Sequence, residues 1–376
     1  MDLTKVRMRE HSGMLTNDST TTQFYFVVSP LKNRAIVEED DYIAINHPTL
    51  GENCPILAIV TEIKSYEQVA GSTLGEKVGK MMATANVIGY IDIKDKTKQI
   101  QKLVTPPNPG TRVFLVYSEF LETIFTTDTQ GKPYNPPLHI GTNILTAINQ
   151  NEETKQLNYH LDPQAVTNAH TLIAANDNTG KTYTATIIIE ELANKTNQPI
   201  IVFDPYNEYT QHGYKTTNVT AIENITKSVK PKQATTVTAE NQTPQNKTNF
   251  YSQALKTLWT ARLDQKIPQF TLVIENPEKL DKNTLEEVVY EGSKHGVAVI
   301  LVTKQPTQLG TNILAQMNNQ IIGKTADSTY LEQLKTVIPQ YAAKIPQLKQ
   351  KEWIINTNNQ QQTAQITTRT HTTKTK

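Results

Sequence analysis

The sequence predicts an α/β protein in two parts: a small N-terminal β-barrel, then a mostly parallel sheet covered by helices on both faces. Three observations predict it. Up to residue 118, short runs rich in Val, Ile, Tyr and Phe follow one another, divided by Pro, Gly, Asn or Asp. From residue 166 onward, continuous apolar runs alternate with runs of helical period, the pattern of a sheet buried on both faces. Where the first such apolar run meets the first helical one stands "NDNTGKT", a turn with glycine, lysine and threonine in sequence.

The elements follow in chain order. "QFYFVVSP", "DYIAINHP", "PILAIVTEIKSY", "MATANVIGYIDI" and "TRVFLVYS" read as five short strands of a barrel or sandwich. "EQVAGSTLGEKVGKM" reads as a loop with a short helix, and "TPPNPGTRV" as a stiff approach to the last strand. Residues 119–165 form a connecting segment in which "TNILTAIN" and "KQLNYHLD" can pair as a hairpin. Residues 166–350 form the second domain. "HTLIAA", "QPIIVFDP", "QFTLVIENP", "VAVILVTKQP" and "NNQIIGK" are its strands. "KTYTATIIIEELANK" is a helix, because Ala185, Ile188, Ile189 and Leu192 recur at i, i+3, i+4 and i+7. "KTNFYSQALKTLWTARLDQ" and "DKNTLEEVVYEGSKHG" are two more, the latter with Asp281 as N-cap. Residues 351–376 read as a β-hairpin followed by a polar basic tail, "RTHTTKTK".

Composition narrows the function. A formal net charge of +1 over 376 residues gives no global basic field for nucleic acid, so a polyanion would need a local patch or a ring of subunits. The single cysteine, Cys54, excludes an intrachain disulfide framework and a cysteine-rich metal site, and fits a reducing compartment. The first fifteen residues lack the apolar core of a signal peptide, and no apolar run approaches the ~18 residues of a membrane helix. A cytoplasmic protein without membrane attachment is expected. Six of the 37 basic residues are arginine: Arg7, Arg9, Arg34, Arg112, Arg262 and Arg369.

The turn has the chemistry of a phosphate loop. Backbone N–H groups of such a loop, at the start of a helix, bind phosphate, glycines permit the close approach, a lysine reaches the terminal phosphates and a hydroxyl holds magnesium. Residues 175–183 are therefore the candidate nucleotide-binding segment: Ala175, Asn176, Asp177, Asn178, Thr179, Gly180, Lys181, Thr182 and Tyr183. Its hydroxyl residue, Thr182, is the expected magnesium ligand of such a loop. Three strands end in polar groups: Asp204 to Tyr209 after "IIVF", Glu275 and Asn276 (with Glu278 nearby) after "TLVI", and Thr303, Lys304 and Gln305 after "VAVILV". Ligands of open parallel sheets bind at those ends.

These segments resemble the HerA-type ATPases of the HerA–FtsK group of DNA translocases over roughly residues 15 to 370. "NAHTLIAANDNTGKT" resembles the family's histidine-plus-phosphate-loop motif, with His170 at the histidine. "PIIVFDPYNEYT" resembles its "DPHGEY" segment through Asp204, Pro205, Glu208 and Tyr209. "TLVIENPEKL" stands where the family has "IDEAH", and "YEGSKHGVAVILVTKQPTQLGTNILAQMNNQII" runs parallel to "EGRK…SQRP…LxQxNxxII". The resemblance implies a HAS-barrel-like N-terminal domain (residues 1–118) and a RecA-like ATPase domain. It also implies a hexameric ring, double-stranded DNA as partner, a nuclease docked on the barrel, and a place in DNA repair, end processing or transfer. It implies ATP and Mg²⁺ as cofactors, with Glu275 joining Thr182 as magnesium ligand. The further sites it implies are Glu275, Asn276, Lys304, Glu208 and Asp204 for catalysis, and Lys294, Lys324 and Arg262 for stabilising transition-state charge.

The chain departs from the family pattern on the chemistry. Two loop glycines are replaced by Ala175 and Asn178, the "DE" pair reads Glu275–Asn276, Lys304 stands at the glutamine of "SQRP", and Ser293, Gln305 and Lys324 stand where the family has arginine. Asn276 can orient a water but cannot take its proton, so Glu278 or Glu208 would have to supply the basic carboxylate. Three readings stay open from sequence: a ring ATPase with altered catalytic residues, a nucleotide-binding subunit with weak or no hydrolysis, and a vestigial loop.

Overall fold

The computed structural model describes residues 6–7, 11–29, 37–66, 80–95, 99–128, 130–149, 154–209, 216–239, 242–357 and 363–370. Residues 67–79 of the expected loop and residues 371–376 of the basic tail lie outside the described residues. The chain divides into two compact units, residues 1–133 with 143–158, and residues 134–142 with 159–376.

The first unit holds β1 (Gly13–Leu15), β2 (Gln23–Val28), β3 (Tyr42–His47), β4 (Gly51–Tyr66), β5 (Lys80–Tyr90) and β6 (Arg112–Leu115). They close into a barrel in the order β1-β2-β5-β4-β3-β6. β1, which sequence reading missed, closes it by pairing antiparallel with both β2 and β6. β4 and β5 carry register shifts at Leu57/Ala58 and Val60/Glu62, and such bulges bend a strand as closure requires. Burial along β2 alternates strictly, so Phe24, Phe26 and Val28 fill the interior. The opposite faces of β3 and β4 are apolar too. Tyr42, Ala44 and Leu57 pack with Phe120, Leu121 and Ile124 of helix α1 (Ser118–Phe125).

β7 (Leu138–Ile148) and β8 (Thr154–Leu161) are the expected hairpin, longer than the sequence suggested, and both run through the boundary of the two units. The second unit continues with α2 (Pro163–Thr167), β9 (Thr171–Ala174), α3 (Lys181–Lys195), β10 (Ile200–Phe203), β11 (Thr216–Val219) and β12 (Ala234–Val237). Then come α4 (Pro244–Leu263), β13 (Phe270–Glu275), α5 (Lys282–Glu291), β14 (Val297–Thr303), α6 (Thr311–Ala315) and β15 (Asn319–Ile322). The last elements are α7 (Ser328–Val337), α8 (Pro339–Ala342), β16 (Glu352–Thr357) and β17 (Ala364–Thr368). Asp281 caps α5 as expected, its Oδ2 accepting from the Thr284 amide at 2.9 Å.

Among the described residues one sheet runs β11-β12-β10-β13-β14-β9-β15-β16-β17-β7-β8. From β11 to β15 all neighbours are parallel; β16 then pairs antiparallel with β15 and β17. Alternate residues of each parallel strand enter different cores. Ile173, Val202 and Ile300 pack with Ile187, Ile188 and Leu192 of α3. Leu172, Ile201 and Leu301 pack with Leu255 and Leu258 of α4 and Val288 of α5. The continuous apolar runs are thus explained by two buried faces. No helix among the described residues is long and apolar enough to cross a membrane.

Register fixes where the chemistry emerges. Ala174 stands opposite Thr303, Glu275 opposite Val302, and Phe203 opposite Ile274. Four neighbouring parallel strands, β10, β13, β14 and β9, therefore end together, and the polar residues after each leave the sheet at one edge.

Candidate functional site

The loop after β9 is held by backbone bonds. The Ala175 amide donates to the Thr303 carbonyl (3.3 Å), the Asn176 amide to Lys324 (2.8 Å), and the Gly323 amide to Ala174 (2.9 Å). Ala175 is buried and does not take a positive φ, so its backbone needs no glycine. Room for its methyl is made next door: a Cβ at Gly323 would lie 2.9 Å from the Ala175 Cβ and 2.7 Å from the Trp353 ring. Asn178 takes φ 60°, a left-handed conformation that asparagine tolerates better than most residues. Gly180, at φ 103°, precedes the helix, whose first bond runs from the Thr184 amide to the Gly180 carbonyl at 2.9 Å. The amides of Lys181 and Thr182 come before that bond, where a helix start attracts anions. Thr179 Oγ1 and Lys181 Nζ both donate to the Asn176 carbonyl, at 2.7 and 2.8 Å. Burial lowers the Lys181 ammonium pKa, and Asp177 and Glu275 oppose that shift.

The facing wall is built from strand ends. After β10, Asp204 accepts the Glu208 amide on Oδ1 and the Tyr209 amide on Oδ2, each at 2.9 Å. Burial raises its pKa. Asp204 was expected to be catalytic. Instead it spends both oxygens shaping a turn, and it does not line the cavity. That turn presents Glu208, whose Oε2 accepts from the Thr182 hydroxyl at 2.9 Å. It also presents Tyr209, whose hydroxyl donates to Glu275 Oε2 at 2.7 Å. Burial pushes Glu275 up to about 7, against the Tyr209 hydrogen bond and with help from the Glu208 and Asp204 charges. Asn276 sits at φ 53°, ψ 57°, with its amide donating to Val302 at 2.9 Å. The backbone at this position suits asparagine, whatever its chemistry. Glu278 accepts from Thr303 Oγ1 at 3.0 Å.

Loop and strand ends enclose a cavity of about 990 Å³. It brings together Asp177, Asn178, Gly180, Lys181, Thr182 and Tyr183 with Glu208, Glu275, Asn276, Glu278 and Lys304. Ala175, Asn176 and Thr179 support it from behind. The remaining expected cations are placed elsewhere. Arg262 Nε donates to the His295 carbonyl (2.7 Å) and its Nη1 to Ile267 (2.9 Å), a clasp around the end of α4. Lys294 pairs with Glu291 on the surface at 2.9 Å. Lys324 gives the loop its carbonyl, and the residue is exposed. Among the described residues the cations lining the cavity are therefore Lys181, Lys279 and Lys304. His170 is structural: its Nδ1 accepts the Val299 amide (3.1 Å), so its Nε2 carries the proton toward Ser293 Oγ (3.1 Å). Burial lowers its pKa to about 4.

The strand-end reading had already reached Tyr206, Asn207 and Gln305, which line the cavity too, and it missed three lining residues. Lys279 and Gln308 follow strands already placed at the site, and the same rule could have reached them. Gln350 gave no such signal. It arrives because β16 joins the sheet, which also brings the Lys351 amide to the Thr179 carbonyl (2.9 Å) and its ammonium 4.0 Å from the Tyr183 ring centre.

The donor set suits magnesium, a hard cation that prefers oxygen. The Thr182 hydroxyl and the Glu208 carboxylate are within 2.9 Å of each other, and Glu275 lines the same cavity. Among the described residues no cluster of three or more His, Cys, Asp or Glu could hold an ion unaided. The ion would lean on phosphate oxygens, as magnesium does at nucleotide sites.

The sequence profile of the central domain of helicase HerA matches residues 139–370. No curated protein matches the chain. Among solved structures, the genome packaging NTPase B204 of Sulfolobus turreted icosahedral virus 2 is 20% identical, with a TM-score of 0.43, over 53% of this chain and 97% of that one. VirB4 of Thermoanaerobacter pseudethanolicus is 11% identical, with a TM-score of 0.47, over 62% of this chain and 96% of that one.

Proposed function

The chain belongs to the family of the HerA helicase central domain, and from that premise we propose that it is an ATP-hydrolysing subunit of a ring that moves double-stranded DNA. One observation carries the reading: Lys181 and Thr182 of the loop share a cavity with the carboxylates at the ends of β10 and β13, Glu208 touching Thr182.

The loop amides and Lys181 take the phosphates. Thr182, Glu208 and Glu275 would hold magnesium, which would supply positive charge to neutralise the phosphates. Asn276 orients the attacking water, and Glu278, tethered by Thr303 beside Lys304, takes its proton. Lys304 supplies the positive charge that an arginine gives in related phosphoryl transferases, as a point charge without the planar fork. The ring is a hexamer in the cytoplasm that acts in DNA end processing or transfer, and the N-terminal barrel receives a nuclease partner.

A second reading is favoured by one observation. Asn276 replaces the family's glutamate, and among the described residues the cations lining the cavity are all lysines. On that reading the chain binds nucleotide and serves as a structural ring subunit. Steady-state ATP turnover, with and without duplex DNA, separates the two. The first expects DNA-stimulated turnover that Lys181→Ala and Glu278→Gln both abolish, with Glu278→Gln still binding ATP. Turnover at background in the wild type, restored by Asn276→Glu, establishes the second.

A further inference from the structure

Asp177 is the one acidic residue of the loop between β9 and α3. Nothing in the chemistry of a phosphate loop calls for a carboxylate there, because the loop exists to bind anions. The side chain has a defined place. Its Oδ2 lies 2.9 Å from Lys304 Nζ and its Oδ1 lies 3.7 Å from Lys181 Nζ. One carboxylate thus bridges an ammonium from each wall of the cavity. The two are unlike: Lys181 is buried at 9% side-chain exposure, whereas Lys304 is at 45%. The ion pair is mutual, since Lys304 is the main cause that lowers the Asp177 pKa and Asp177 the main cause that raises that of Lys304.

Two ammonium groups converging on one point make an anion site, and here an internal carboxylate stands in it. A phosphate loop lysine reaches the terminal phosphates of a nucleotide. A phosphate that met both Lys181 and Lys304 would need the place Asp177 holds, and like charges at such separation repel. We propose that Asp177 is a specificity-determining residue, an internal anion that competes with the terminal phosphate of a triphosphate for Lys181 and Lys304. A diphosphate lacks the group that must reach Lys304, so it meets this competition less. Asp177 therefore lowers triphosphate affinity selectively and narrows the preference for triphosphate over diphosphate. This inference rests on the reading of the cavity as a nucleotide site.

The pair is partly exposed, so the expected effect is modest. Asp177→Asn and Asp177→Ala should each tighten binding of a non-hydrolysable ATP analogue about three- to tenfold, and of ADP by less than about twofold. The titrations use the full chain with magnesium and calorimetric readout. Adding Lys304→Met to Asp177→Asn should erase the selective gain, because the contested cation is gone. Equal gains for both nucleotides, or weaker triphosphate binding in both Asp177 variants, would overturn the inference while wild-type binding upheld the nucleotide site. If neither wild type nor variants bound either nucleotide, the reading of the cavity would fail and the inference with it.

Discussion

The two walls of the cavity are built on different rules. The loop wall is fixed by backbone: the amides of Ala175, Asn176 and Gly323 bond to neighbouring strands, and positive φ at Asn178 and Gly180 turns the chain into α3. Its departures from the family pattern fall at Ala175 and Asn178 and leave Gly180, Lys181 and Thr182 in the sequence. The strand-end wall is fixed by side chains. Asp204 holds Glu208 and Tyr209 by their amides, Tyr209 holds Glu275, and Thr303 holds Glu278. There the departures change which atoms can accept a proton. On the proposed reading, the difference teaches that a phosphate loop can lose glycines where a neighbour leaves room, whereas the loss of a basic carboxylate has to be met by another carboxylate within reach.

The comparison breaks most visibly in binding. Lys181→Ala should weaken ATP affinity about 100-fold, the loss of a charge-assisted contact, whereas Glu278→Gln on the other wall should leave it within about threefold. Equal losses measured by calorimetry would mean that the walls do not divide binding from chemistry. Gly323→Val should destabilise by about 2 kcal/mol, because the added atoms meet the Trp353 ring and the Ala175 methyl in a packed interior. Urea unfolding checks this, and an unchanged midpoint would show that Gly323 is not what accommodates Ala175.

Two smaller effects sharpen the same contrast. Asn276→Glu should cost about 1 kcal/mol for a bulkier residue in left-handed backbone, and Asn276→Gly should cost less. The reverse order in thermal melts would make Asn276 a residue kept for its side chain alone. Ala175→Gly should cost about 1 kcal/mol, from a lost buried methyl and a more flexible unfolded chain, without tightening nucleotide binding. Tighter binding by that variant would mean that Ala175 does impair the loop.

Much of this was legible in the sequence where one physical signal dominated. α3 follows from its 3.6-residue period, and β9, β10, β13 and β14 from continuous apolar runs, because burial on both faces leaves no polar alternation. What stayed hidden depended on distant partners. β12 reads "ATTV", with no apolar run to announce it, yet all four residues are buried through its parallel pairing with β10 and β11. α1 is eight residues whose Phe120, Leu121 and Ile124 declare a face only against the barrel strands. At the site, residue types predicted the loop, and strand ends predicted the carboxylates. Their division of labour did not follow from sequence, since Asp204 and Glu208 are both carboxylates after β10 and their roles depend on what each bonds to.

The most direct test of the account is a calorimetric titration of the full chain with ATP and magnesium, beside Lys181→Ala. The wild type should show saturable one-site binding, reduced about 100-fold in the variant. Absence of binding in the wild type, or equal binding in both proteins, would contradict it.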